Sequence, residues 1–182
     1  MREVLILIDI QNMYFYEGDY KLYEPERAGK KAAEILEKFR MENKPVIHVK
    51  HNFKVDGMEN GEYLLDFNEF VKPKKKESIV SKNYPSAFLK TDLKKRLDKL
   101  KVDKLKVDKL IIVGMMTHMC IDTTVRAAQN YGYKVTVIHD ACTTKDLKWN
   151  GQTIYAQTVH DSIMASLQGT FGEVMSCEEF ME

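Results

Sequence analysis

The chain has little of what would tie it to an oxidising compartment, a membrane or a nucleic acid. Three cysteines occur in 182 residues, at positions 120, 142 and 177. An odd, widely spaced set does not build a disulfide framework, so a reducing cytoplasm is the expected location. There is no CxxC pair and no HExxH motif. No apolar run approaches the roughly 20 residues that a membrane-spanning helix needs. The opening MREVLILIDIQ reads as a poor signal peptide, because Asp9 interrupts a short apolar stretch. Lys plus Arg (28) nearly cancel Asp plus Glu (27), which leaves no global basic footprint for nucleic acid. The basic run Lys72-Pro73-Lys74-Lys75-Lys76 is short, lacks aromatics and reads as a solvated loop. What is present is a chain 44% apolar, enough for a proper core, and one domain over residues 1–182 is expected.

The stretch Leu110 to Asp140 organises the rest. Leu110-Ile111-Ile112-Val113 is a β-branched apolar run of the kind buried on both faces of a sheet. Gly114 stops it. A helical pattern starts near Met119 and carries Ile121, Val125 and Ala128 on one face, with Gly132 as its C′ residue. Lys134 to Ile138 gives a second buried strand, closed by Asp140. Cys120 sits where the turn feeds the helix. Helix N-termini offer unpaired N–H groups and a partial positive charge, which shift a thiol toward thiolate and can hold an oxyanion. A small buried apolar residue is the other reading of Cys120.

The remaining elements alternate in the same way. Val4 to Ile10 is an apolar strand with one intruder, Asp9, which either serves chemistry or hydrogen-bonds the following loop. Gln11 to Glu24 is a polar, aromatic loop. Pro25 opens a helix whose apolar face is Ala28, Ala32, Ile35, Leu36 and Phe39. Val46 to Lys50 is the second strand. His48 and His51 fall on opposite faces by strand periodicity, a poor arrangement for chelating one metal. Asn52 to Val71 reads as an irregular excursion with a short helix near Tyr63 to Phe70. Ser78 to Ser81 is the third strand, with Lys82 at its end. Ser86 and Thr91 are cap candidates. Lys99 to Leu110 contains the five residues KLKVD twice in tandem, either extending a helix or forming a loop. Cys142 and His160 read as structural. A long helix is expected from about Gly151 to Leu167. Glu173-Val174-Met175 is the last strand, and Ser176 caps the terminal turn.

Strands alternating with helices imply an α/β fold in three layers, α-β-α. The expectation is a Rossmann-like, six-stranded, mainly parallel sheet in the order 3-2-1-4-5-6. Its switch point lies between the first and fourth strands, where ligands bind. That makes Asp9 and Cys120 neighbours in space, with Lys82 reaching inward from the outer third strand.

Three stretches in order, LILIDIQNMYF, SKNYPSAF and VGMMTHMCIDTTVRAAQNYGYKVTVIHDACTT, resemble the isochorismatase-like cysteine hydrolases. With the closing helix the resemblance covers nearly the whole chain. It implies a catalytic triad of Asp9, Lys82 and Cys120, and a non-proline cis peptide at Met115–Met116. It also implies an oxyanion hole from the Met116 and Cys120 N–H groups. The implied reaction is hydrolysis of a small amide or related C–N bond through a thioester, with Asp9 as acid and base. Relatives that hydrolyse nicotinamide carry an Asp-x-His pair, which HVKHNFKVDGMEN lacks, so neither a metal nor another cofactor is expected. Isochorismatase proper lacks the nucleophilic cysteine, so Cys120 points to the amidase branch. Candidate pocket-lining residues are Gln11, Phe15, His51, Tyr84, Phe88, Thr117 and Trp149. The expected partners are a small-molecule substrate and further copies of the chain in a homo-oligomer, with no nucleic acid and no membrane. A thiol-based redox sensor and a non-catalytic scaffold are the alternatives.

Overall fold

Six short apolar segments pair edge to edge into one sheet in the computed structural model, which describes residues 2–17, 20–52, 61–102 and 105–182. They are β1 (Glu3–Ile8), β2 (Val46–His51), β3 (Ser78–Lys82), β4 (Lys109–Met115), β5 (Lys134–Thr143) and β6 (Glu173–Met175). Their spatial order is 3-2-1-4-5-6, and all five pairings are parallel. Parallel neighbours need a crossover, and four helices lie on the connections between β1 and β2, β3 and β4, β4 and β5, and β5 and β6. These are α1 (Pro25–Met41), α2 (Leu93–Lys99), α3 (Asp122–Asn130) and α4 (Ala156–Leu167), with α5 (Cys177–Met181) closing the chain.

The period of two along each strand divides the core into two slabs. On one face Leu5, Leu7, Ile111 and Val113 pack against Ala32, Ile35, Leu36 and Phe39 of α1 and Cys177 of α5. On the other, Val4, Ile6, Ile8, Leu110 and Ile112 meet Leu93 and Leu97 of α2, Val125 and Ala128 of α3, and Met164 and Leu167 of α4. The central strands are therefore covered on both sides. No helix among the described residues is long and apolar enough to cross a membrane.

Several elements differ from the sequence expectation. The helix placed at Gly151 begins at Ala156, because Leu147–Trp149 and Gln152–Ile154 form an antiparallel hairpin first. Asn150 (φ 49°) and Gly151 (φ 75°) turn it, both left-handed as a primed two-residue turn requires. β5 continues past Ile138 to Thr143, with a register shift opposite Ile112 and Gly114. The KLKVD duplication does not extend α2; Lys101–Val102 pairs antiparallel with Leu105–Lys106. In the excursion expected over Asn52 to Val71, residues 53–60 lie outside the described ones. The rest holds a short helix at Gly61–Leu65 and a 3-10 turn at Glu69–Val71.

One glycine decides how closely the two central strands approach at their carboxyl ends. Gly114 has φ 132°, and a Cβ there would lie 2.0 Å from the Ile8 carbonyl oxygen. No side chain fits, so β4 can close against β1 just before Asp9.

Candidate active site

Four adjacent strands each lead, at their carboxyl ends, to one polar group. Asp9 follows β1, His51 ends β2, Lys82 ends β3, and Cys120 lies in the turn after β4. Asp9 turns the chain out of the strand with φ 52°, a left-handed conformation that aspartate tolerates better than most residues. Its N–H donates to the Val49 carbonyl at 3.0 Å, which ties the turn to β2. His51 and Lys82 are register partners. The lysine chain crosses the end of β2 and brings Nζ to 2.6 Å from Asp9 Oδ2. The same Nζ donates to His51 Nδ1 at 2.8 Å and to Cys120 Sγ at 3.2 Å. Asp9, Lys82 and Cys120 are all buried.

Cys120 does not sit on the first turn of a regular helix. Thr117–Ile121 forms a wide π-type turn in which the Met119 and Ile121 N–H groups both donate to the Met116 carbonyl, and α3 starts only at Asp122. The expected shift toward thiolate is reversed. Burial and the Asp9 carboxylate push the thiol up to about 12, and the nearby Lys82 ammonium offsets only part of this. Desolvation of a charged form inside the protein outweighs the partial charge of a helix end. The resting group is therefore a thiol beside a carboxylate. The peptide before this turn, Met115–Met116, is cis.

Asp9, His51 and Cys120 are also metal-ligating residue types, with ligand atoms within 4.8 Å of one another. The Lys82 ammonium stands 2.6 to 3.2 Å from one ligand atom of each. A divalent cation cannot share that space, so these residues do not fit a metal while Lys82 is in place.

Among the candidate pocket residues, the structure brings His51 to Asp9, Lys82 and Cys120. Gln11 does different work: its amide accepts from His51 N–H at 2.8 Å and donates to the carbonyls of His51 at 3.2 Å and Leu65 at 2.6 Å. An amide spent on main chain is a clamp rather than a recognition group. Phe15 packs against Phe70 and Gly29, and Phe88 against Tyr131 and Tyr133 in the core beneath α3. Thr117 is buried with its hydroxyl 2.9 Å from His160 Nδ1. Tyr84 is half-exposed beside Lys90, and Trp149 is 76% exposed on the hairpin. His48 points away from His51 and bonds Glu77 at 2.8 Å.

Tyr14 is the neighbour that sequence reasoning missed. Its phenol is buried, and burial together with the charges of Asp9 and Cys120 holds its pKa well above the ordinary value. It was one of five aromatic residues in a loop with no periodicity, so nothing local singled it out. The 3-10 turn Asn12–Tyr14 is what carries it inward.

Comparison with known proteins identifies relatives of the whole chain. Residues 3–179 match the family model described as an isochorismatase domain. The chain is similar to the isochorismatase-family protein YddQ of Bacillus subtilis, with 38% identity over 186 residues and 100% of both chains covered. The crystal structure of an isochorismatase from Pseudomonas putida superposes with a TM-score of 0.89 at 32% identity, covering 98% of this chain and 89% of that one. An N-carbamoylsarcosine amidase from Thermoplasma acidophilum shares the fold at 19% identity, with a TM-score of 0.76 and 98% of each chain covered.

Proposed function

The chain belongs to the isochorismatase family of hydrolases, and from that we propose a cysteine-dependent hydrolase that opens a C–N bond of a small amide or related substrate. The observation that carries this reading is the Lys82 ammonium held between the Asp9 carboxylate, 2.6 Å away, and the Cys120 sulfur, 3.2 Å away. A thiol pushed up to about 12 supplies thiolate at only about one part in 10⁵ at neutral pH, so it needs a base at hand. Asp9 takes the Sγ proton as sulfur attacks the substrate carbonyl carbon. The positive charge of Lys82 stabilises the thiolate as it forms. The Met116 and Cys120 N–H groups receive the oxyanion. Asp9 returns its proton to the leaving nitrogen, the C–N bond breaks, and a thioester remains on Cys120. Water, deprotonated by Asp9, then attacks the thioester; the acid leaves and the thiol is restored. Every proton moves through Asp9, and no metal ion is required.

The raised thiol pKa and the burial of Cys120 count against a redox sensor, which needs an accessible thiolate. The amidase among the structural neighbours fits a C–N substrate. The test is release of ammonia from a panel of small primary amides, carbamoyl compounds among them. Release by the wild type that disappears in Cys120→Ala and Asp9→Asn supports the reading. Release that persists in Cys120→Ala overturns it.

A further inference from the structure

The proposed triad leaves one polar group in contact with all three members unexplained. We propose that His51 is a positioning residue of this site: its Nδ1 accepts one hydrogen of the Lys82 ammonium and so keeps another on the Cys120 sulfur. The inference rests on the triad reading above and adds a fourth residue to it.

The geometry carries the assignment. An ammonium has three hydrogens and no acceptor capacity. Lys82 Nζ donates hydrogen bonds to His51 Nδ1 at 2.8 Å and Cys120 Sγ at 3.2 Å, and forms an ion pair with Asp9 Oδ2 at 2.6 Å. The carboxylate is the strongest attractor of the three, and sulfur is the weakest acceptor. Without a third partner the ammonium is free to turn and to settle on Asp9, away from sulfur. His51 Nδ1 lies 3.7 Å from Asp9 Oδ2 and 4.0 Å from Sγ, on a third side of the ammonium.

The hydrogen bond also fixes the state of the ring. An Nδ1 that accepts from an ammonium carries no proton, so the imidazole is neutral with its hydrogen on Nε2. A protonated ring would place two cations 2.8 Å apart in a buried site. His51 is thus not the base for the thiol: its near nitrogen is committed to Lys82 at 2.8 Å, against 4.0 Å to sulfur.

The ring is held to this task from behind. The Gln11 amide grips both the N–H and the carbonyl of His51, and the β2–β3 register sets His51 beside Lys82. Among the described residues, the titratable groups facing this point include Asp9, Lys82, Cys120 and, through its electrostatic contact with Asp9 and Cys120, Tyr14.

The test needs no substrate. The rate of Cys120 alkylation by iodoacetamide is measured between about pH 7 and 9, at the level of the Cys120 peptide by mass spectrometry, so that Cys142 and Cys177 do not contribute. In that range, well below the thiol's value of about 12, the rate follows the thiolate fraction. His51→Ala is expected to slow alkylation about tenfold, the size of one lost charge-assisted hydrogen bond, although its smaller side chain opens access to the sulfur. His51→Asn, whose Oδ1 can accept in place of Nδ1, is expected to restore the rate. A wild-type or faster rate in His51→Ala, or an equal loss in His51→Asn, overturns the proposal. Lys82→Ala separates the two levels: a rate unchanged by that substitution overturns the triad reading beneath it. Should His51→Ala not fold, the ¹⁵N imidazole shifts of the wild-type protein at neutral pH decide. The Nε2–H tautomer is expected at His51, and an Nδ1–H tautomer or a doubly protonated ring overturns the assignment.

Discussion

A buried ion pair adds little net stability, but removing one partner leaves a charge with no solvent and no counterion. Lys82 and Asp9 both have fully buried side chains. Lys82→Met is therefore expected to cost about 3–5 kcal/mol in urea unfolding. The double variant Lys82→Met/Asp9→Leu is expected to recover much of that loss, and a double variant as unstable as the single would contradict the ion-pair account. Glu77 gives a pH prediction at the same scale. Burial alone would raise its pKa, but Arg40 (2.7 and 2.9 Å), the Lys74 N–H and His48 outweigh it and hold the carboxyl at about 2. A depressed folded pKa stabilises the fold above the unfolded value of about 4.5, and the contribution disappears as pH falls toward 2. It amounts to roughly 3 kcal/mol. Glu77→Gln is expected to flatten the acid limb of the stability profile between about pH 4.5 and 2, measured by urea midpoints. The sequence placed Asp9, Lys82 and Cys120 at strand ends, where chemistry gathers. The expectation of a thiol shifted toward thiolate has the wrong sign, because the sign depends on burial and on the distance from Asp9 to Cys120, residues 111 positions apart.

Elements were readable where a local pattern had one solution. Pro25 opens α1, and Ser176 closes a capping box with Glu179 at the start of α5. The hairpin Leu147–Ile154 is hidden in the sequence although Asn150-Gly151 is a strong two-residue turn signal, because the apolar spacing of α4 continues backward over it. The KLKVD duplication could not be decided from its sequence, since both copies are identical and only strand pairing distinguishes their roles. Because the paired segments Lys101–Val102 and Leu105–Lys106 stand outside the six-stranded sheet, deletion of one copy is expected to leave a cooperative fold with a melting temperature lowered by a few degrees at most. Loss of cooperative melting would show that this pair supports β4. Gly114→Ala is expected to do far more damage: its Cβ meets the Ile8 carbonyl at 2.0 Å, and the residue cannot keep φ 132° without strain. Soluble yield and thermal melting check this, and a variant of wild-type stability would contradict the close approach of β4 to β1.

At the scale of the whole molecule, the strand order creates the site. An order of 3-2-1-4 along half of the sheet sets the ends of β3, β2 and β1 and the turn after β4 side by side. Residues at positions 82, 51, 9 and 120 thereby meet within one cluster. The order itself followed from the alternation of strands and helices and one reversal of direction, so it could be anticipated. The partners of Gln11, Phe15 and Phe88 could not, because those depend on packing between segments far apart in the chain. The central claim is that Cys120 carries the substrate acyl group as a thioester. It is tested most directly by intact mass spectrometry after incubation with a mixed panel of small primary amides and an acid quench. The account predicts a substrate-dependent mass gain that hydroxylamine removes, present in the wild type and absent from Cys120→Ala. The same gain on Cys120→Ala, or a gain that resists hydroxylamine, would contradict it.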